Sequence, residues 1–232
     1  MSFFANILDL LFPPRCAFCR CVLNTGERGM CADCELSVAR VEDAFAYGRG
    51  EVFSCCVSPL YYTDTVRDSV LRFKFKERTG YAKIYGRIVA ECVRQNLRGR
   101  YDLITWVPLS KARLKSRGYD QAMLLAMSTA LALDNVAVET LQKHTDVPAQ
   151  SGVGDAKKRR ANISGVYRVP DQELVDGKRV LLIDDILTTG STLDECARML
   201  LDAGAREVLC ATLARTLDGA ELTVNQHENN RD

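Results

Sequence analysis

The sequence predicts an α/β fold: a mostly parallel sheet with flanking helices, preceded by a small N-terminal module built on four cysteines. Three observations carry that expectation. From residue 52 onward, apolar strand-like runs alternate with helical patterns of about a dozen residues, the signature of βαβ units. Two C-x2-C pairs, Cys16/Cys19 and Cys31/Cys34, stand eleven residues apart ahead of that region. One apolar run, "VLLIDDILTTGST" from Val180 to Thr192, passes straight into two acids and a hydroxyl-rich turn.

Phe3, Phe4, Ile7, Leu8 and Leu11 fall at helical spacing, a short amphipathic helix stopped by Pro13-Pro14. It either packs on its own domain or touches a membrane or partner. The cysteine pairs follow, then a linker over residues 41–50. "VFSCCVSPLYY" reads as a strand and "DTVRDSVLRFKF" as a helix; a second helix covers residues 81–97. Residues 102–108 form a buried strand ending in a loop, residues 120–131 a helix, and residues 136–141 a strand. A polar stretch over 143–165 is long enough to be a lid, a binding loop or a disordered segment. "GVYRV" reads as a short strand, 178–184 as the strand feeding the acids, 192–203 as a helix and "AREVLCATLA" as a final strand.

Net charge is +1, with 47% hydrophobic and 26% charged residues, ordinary for a soluble globular chain. No global field calls for nucleic acid or an acidic membrane. The N-terminal apolar run lacks a basic flank and is shorter than the ~20 residues of a membrane span. The expected location is therefore the cytoplasm, where clustered cysteines among the ten more often mean metal than disulfide. The expected division is residues 1–45 for the helix and cysteine module and residues 46–232 for the main domain.

Two C-x2-C turns can aim four thiolates, Cys16, Cys19, Cys31 and Cys34, at one ion in a closed tetrahedral site. Zinc suits that geometry, and four protein ligands make it structural. Redox dithiols and scattered buried cysteines are the competing readings. Cys21 is a spare, and Cys55, Cys56, Cys92, Cys196 and Cys210 read as core residues.

A strand that opens a helix through a hydroxyl-rich loop places ligands at the carboxyl end of a parallel sheet. The helix N-terminus favours an anion, Gly190 allows close approach, and Thr188, Thr189, Ser191 and Thr192 add hydroxyl donors. Asp184 and Asp185 would repel a phosphate. They suit the hydroxyls of a sugar, or a Mg²⁺ ion holding it. The stretch thus asks for a phosphorylated sugar. The glycine spacings of a Walker loop and of a dinucleotide fingerprint are both missing.

"VLLIDDILTTGST" resembles the phosphoribosyl pyrophosphate (PRPP) motif of type I phosphoribosyltransferases. "VPLSKARLKSRGYDQA", "LRFKF", "RRANISGVYRV" and the cysteine pairs together are similar to the ComF/GntX family, from Cys16 to about Arg215. That family joins a zinc-finger segment to a phosphoribosyltransferase-like domain. Asp120 stands where it commonly has asparagine, and Val153 where leucine is usual. The resemblance implies that Asp184 and Asp185 bind the ribose hydroxyls with Mg²⁺, and that Thr188, Thr189, Gly190, Ser191 and Thr192 bind the 5′-phosphate. Ser110, Lys111 and Arg113, in the loop after the 102–108 strand, fall where such proteins hold pyrophosphate. It also implies a role in competence and use of imported DNA, with single-stranded DNA and DNA-processing proteins as partners, and a fold that often forms homodimers.

Other features keep more than one reading. The basic run 157–160 is a catalytic lid, a solvated face or a DNA contact. Lys74 and Lys76, interleaved with Phe73 and Phe75, mark either a nucleic-acid groove or an edge with phenylalanines inward. His144 carries no role. An enzyme transferring phosphoribosyl to an acceptor and a non-catalytic PRPP-sensing or DNA-binding protein both stay open, because fold-level analogy does not choose between them.

Overall fold

The structure, a computed structural model, describes residues 13–42, 47–48, 50–75, 79–143 and 166–216. The expected helix of residues 3–11, Lys76, His144, Val153 and the basic run 157–160 lie outside them.

Two nine-residue strands, β7 (Arg179–Leu187) and β8 (Glu207–Arg215), form the centre of the sheet. Both are covered by helices on each face, which is why they run apolar instead of alternating. β4 (Leu103–Trp106) lies parallel to β7, with Trp106 opposite Ile183. On the far side β2 (Cys55–Val57) and β3 (Leu60–Tyr61) both run parallel to β8. β1 (Tyr47–Gly48) adds an antiparallel edge, so the order is β1-β2-β8-β7-β4.

The strand read from "VFSCCVSPLYY" is therefore two. Pro59 has no N–H to give to the ladder, and the pairing breaks at Ser58 and Pro59. The Ser58 and Thr212 hydroxyls, 2.7 Å apart and buried, bridge that gap. The strand expected over 136–141 shrinks to one bridge, Ala137 with Ile104. β5 (Gln142–Lys143) and β6 (Tyr167–Arg168) pair antiparallel as a ribbon apart from the main sheet.

Alternation along the central strands divides the core. Leu181, Ile183, Leu209 and Leu213 face a layer of three helices, α2 (Asp64–Phe75), α3 (Tyr81–Asn96) and α5 (Gln121–Ala132). Val180, Leu182, Val208 and Cys210 face α6 (Ser191–Asp202), which offers Leu193, Cys196, Ala197 and Leu200 at helical spacing. The five cysteines read as core residues are all buried. α3 and α5 approach closely at Gly86, where an added Cβ would sit 2.5 Å from Ser128 Cβ.

The cysteine segment, with its short helix α1 (Ala32–Ser37), shares the three-helix core instead of standing apart. Phe18 is 2% exposed and meets Tyr85 edge-on at 5.9 Å between centroids. Burying a phenylalanine fully is worth about 1.5–3 kcal/mol, so this one ring is a substantial part of the attachment.

One helix was not expected. α4 (Lys111–Arg117) occupies the stretch read as a basic loop. None of its residues is buried, so no apolar stripe announces it. Its signals are at the ends: Ser110 caps it by accepting from Arg113 N at 3.3 Å, and Gly118 closes it at φ 79°.

Candidate functional site

The cysteine cluster is built from two backbone turns. Cys16 N donates to Cys21 O at 2.9 Å and Arg20 N to Cys16 O at 3.0 Å, folding the first pair into a knuckle that Arg20 completes at φ 70°. Cys31 caps α1 and Cys34 lies in its first turn. The Glu27 carboxylate joins the two halves, accepting from Asn24 N at 2.6 Å and Ala32 N at 2.8 Å. These hydrogen bonds hold it below the usual carboxylate range. The sulfurs of Cys16, Cys19, Cys31 and Cys34 all lie within 4.8 Å of one another, and those of Cys19 and Cys31 approach to 3.6 Å. A tetrahedral zinc–thiolate site has sulfur–sulfur edges of about 3.8 Å, so the donor set fits zinc. Cys21 is outside the set and exposed.

The acid pair lies within β7, not at its end, because the strand runs on to Leu187. Strict alternation does not persist through this stretch: Ile183 and Ile186 pack on one core, Leu182 and Leu187 on the other, so the two acids lie where the strand changes parity. The charge of Asp184 reaches Cys196 and Tyr167 on the α6 side and feels Lys74 and Asp120 as well. Asp184 also accepts from Asp185 N at 2.8 Å. Burial, with the charge of Asp185 added, raises the Asp184 carboxyl well above the ordinary range. Asp185 turns toward α2 and takes both oxygens to Lys74 Nζ, at 2.9 and 2.8 Å.

Past Leu187, Thr188 and Thr189 are exposed and Gly190 turns the chain at φ 75°. A Cβ there would meet Phe53 no closer than 3.5 Å, so the glycine is required by conformation and not by space. Ser191 opens α6, one residue earlier than expected, and its hydroxyl lies 2.9 Å from that of Thr189. With Thr192 these groups form a hydroxyl-lined helix N-terminus directly beyond the acids.

The segment after β4 reaches the same sheet end, since Val107 N donates to Ile183 O at 3.0 Å. Ser110, Lys111 and Arg113 follow, at the start of α4. Asp120 closes this segment onto α5: its two oxygens accept from Leu109 N at 2.9 Å and Met123 N at 3.0 Å. Two acceptor oxygens explain the acid here, because an asparagine side chain has only one. Burial above all, helped by Asp185, raises the Asp120 carboxyl.

Sequence reasoning missed the partner of Asp185. Of the aromatic residues beside Lys74, Phe73 is buried while Phe75 is 62% exposed, so the reading of an edge with phenylalanines inward holds for Phe73 alone. Arg117 lies 4.8 Å over the Phe75 ring. Tyr119, beyond α4, donates its hydroxyl proton to Phe73 O.

The phosphoribosyl transferase domain model matches residues 120–227, and the double zinc ribbon domain model matches residues 7–47, which include the four clustered cysteines. The DNA utilization protein YhgH of Escherichia coli O157:H7 is 30% identical over 230 residues, covering 90% of this chain and 100% of that one. The chain belongs to the ComF/GntX family. Competence protein F of Haemophilus influenzae is 27% identical to this ComF-family chain over 222 residues, covering 87% of it and 96% of the relative. An adenine phosphoribosyltransferase structure is a more distant likeness, at 15% identity and a TM-score of 0.39, covering 67% of this chain and 79% of that one. The domain matches give this ComF-family chain a phosphoribosyl transferase domain on a mostly parallel sheet and an N-terminal double zinc ribbon domain. Among the described residues, no helix is long and apolar enough to cross a membrane.

Proposed function

We propose that this protein binds PRPP with Mg²⁺ at the carboxyl end of β7 and transfers its phosphoribosyl group to an acceptor in the use of imported DNA. The observation that supports this most is the acid pair on β7 set directly before a glycine-turned, hydroxyl-lined helix N-terminus. Asp184 and Asp185 accept hydrogen bonds from the ribose hydroxyls. Thr188, Thr189, Ser191 and Thr192, with the backbone at Gly190, hold the 5′-phosphate. Lys111 and Arg113 offset the charge of the departing pyrophosphate. Ser110 Oγ accepts from Arg113 N and keeps its own proton to donate to an oxygen of that group. In the transfer the acceptor's lone pair forms a bond to C1 while the C1–O bond breaks, its electrons leaving on pyrophosphate. Bound Mg²⁺ supplies charge neutralisation for that leaving group. The four clustered cysteines hold a structural zinc.

A second reading, binding of single-stranded DNA without turnover, rests on Phe75. An exposed ring beneath Arg117, with Arg20 beside the same shallow cleft, offers base stacking and phosphate contact together.

The test is calorimetric titration of Mg²⁺·PRPP into wild type and the double variant Asp184→Asn, Asp185→Asn. Binding to wild type that disappears in the variant supports the site, and pyrophosphate release with added acceptors then tests transfer. A folded, zinc-loaded wild type that does not bind refutes the first reading and favours titration with oligonucleotides.

A further inference from the structure

The last two turns of α2 make a series of unrelated contacts. On one side, Ser69 Oγ donates to Ala17 O at 2.5 Å, and Arg72 Nη2 donates to Ala17 O at 3.1 Å and Phe18 O at 2.5 Å. Ala17 and Phe18 are the two residues inside the first C-x2-C turn, so α2 holds the backbone of the metal knuckle itself. Ser69 also shares a hydrogen bond with Tyr85, the ring against which Phe18 packs. On the other side, Lys74 grips both oxygens of Asp185, and Phe73 O accepts from Tyr119 next to Asp120. Four residues of α2, Ser69, Arg72, Phe73 and Lys74, thus touch the cysteine turn, the acid pair and the segment that begins with Ser110.

A helix is stiff over two turns, so displacement at Arg72 is carried to Lys74 with little loss. The Lys74–Asp185 pair is held in part-buried surroundings, with side chains 19% and 16% exposed, where a small shift matters more than at the surface. We infer that α2 couples the cysteine module to the acid pair, with Lys74 the positioning residue for Asp185 and Ser69 and Arg72 the grip on the metal knuckle. The zinc ribbon is then part of the ligand site's tuning, since an intact knuckle keeps Lys74 where it orients Asp185. The effect on PRPP rests on the function proposed above; the effect on Lys74 does not.

The experiment has one arm for each. In the full-length, zinc-loaded protein without ligand, acylation of Lys74 by an N-hydroxysuccinimide ester is followed by peptide mass spectrometry. The paired ammonium of wild type reacts slowly, and Asp185→Asn sets the rate of an unpaired one. Arg72→Met, with zinc content confirmed at wild-type level, is expected to move toward the Asp185→Asn rate. Ser69→Ala, a smaller perturbation, serves if Arg72→Met fails to fold. Equal acylation of wild type and a folded grip variant overturns the coupling, whatever PRPP does.

In the second arm Mg²⁺·PRPP affinity is measured by calorimetry. Arg72→Met is expected to lose affinity on the order of 5- to 10-fold, the lower part of the usual range for coupled sites. In a Lys74→Met background the same change should add nothing, because the route is already cut, while Lys74→Arg should restore the dependence. Additive losses overturn the route through Lys74. Absence of PRPP binding in wild type refutes the functional reading, and the acylation rates then decide the coupling alone.

Discussion

Replacing Gly86 by alanine sets two effects of known size against each other. In a helix interior the change ordinarily stabilises by about 1 kcal/mol, because glycine has more backbone freedom to lose. Gly86 lies within α3, where nothing about its φ demands glycine. The opposing effect comes from α5. A Cβ at 86 would fall 2.5 Å from Ser128 Cβ, 2.6 Å from Ser128 C and 2.8 Å from Thr129 N. Two of those three atoms are backbone, so no rotamer change relieves the overlap and the helices must part. Overpacking of this kind costs about 1–3 kcal/mol, and separation also loosens the ring of Tyr85 on the neighbouring position. The net expectation is a loss of about 1 kcal/mol. Gly80→Ala is the control: at the start of α3, with φ −58° and nothing within 4 Å of the new Cβ, it should be neutral or slightly stabilising. Urea unfolding of the zinc-loaded protein reads both. With a slope of about 3 kcal/mol per molar, Gly86→Ala should lower the midpoint by roughly 0.3 M. A midpoint at or above wild type would show that α3 and α5 do not meet as closely as described.

Protein purified without chelator should carry close to one zinc per chain, since sites of this type bind tightly, and less than about half an equivalent would refute the site. Removing the metal should lower the melting temperature of the whole chain, because Phe18 belongs to the main core; a melt that keeps its midpoint would count against that shared core. For Asp184, burial pushes the carboxyl up to about 8, so the folded chain binds this proton more tightly than the unfolded chain. That contribution to stability is full below about pH 4 and is lost as pH rises toward 8. Without divalent metal, Asp184→Asn should therefore match wild type near pH 4 and melt progressively higher above it; parallel profiles would contradict the raised carboxyl of this half-buried residue.

The legible parts of the fold were those where one local rule sufficed. Residues 178–184 read as a strand because four apolar residues in a row need cover on both faces, and the cysteine spacing stated its own geometry. Residues 81–97 and 192–203 showed helical periodicity because each buries one face. α4 escaped because it buries nothing, leaving only Ser110 and Gly118 as punctuation. The extent of β7 escaped for a different reason: acids are poor strand formers, and only pairing with β8, Asp184 opposite Thr212 and Leu187 opposite Arg215, carries the strand past them. The contact between Lys74 and Asp185 spans 111 residues of sequence, and no periodicity or motif encodes such a distance. Asp120 was visible as an acid in an unusual place, yet its two-handed cap needed the fold to bring Leu109 N within reach.

Among the described residues, the sheet ends in two short strands. β1 contributes two residues, and the four of β4 already meet the bridge at Ala137, with Val138 N donating to Ile104 O at 2.9 Å. An intruding strand from another copy would find, among the described residues, very little free ladder at either border. Short, partly occupied borders are a recognised protection against templated aggregation. The long central strands, whose apolar sequences would be hazardous on a border, are sequestered between neighbours. Concentrated stocks should consequently remain free of β-rich deposits for as long as β7 and β8 stay paired.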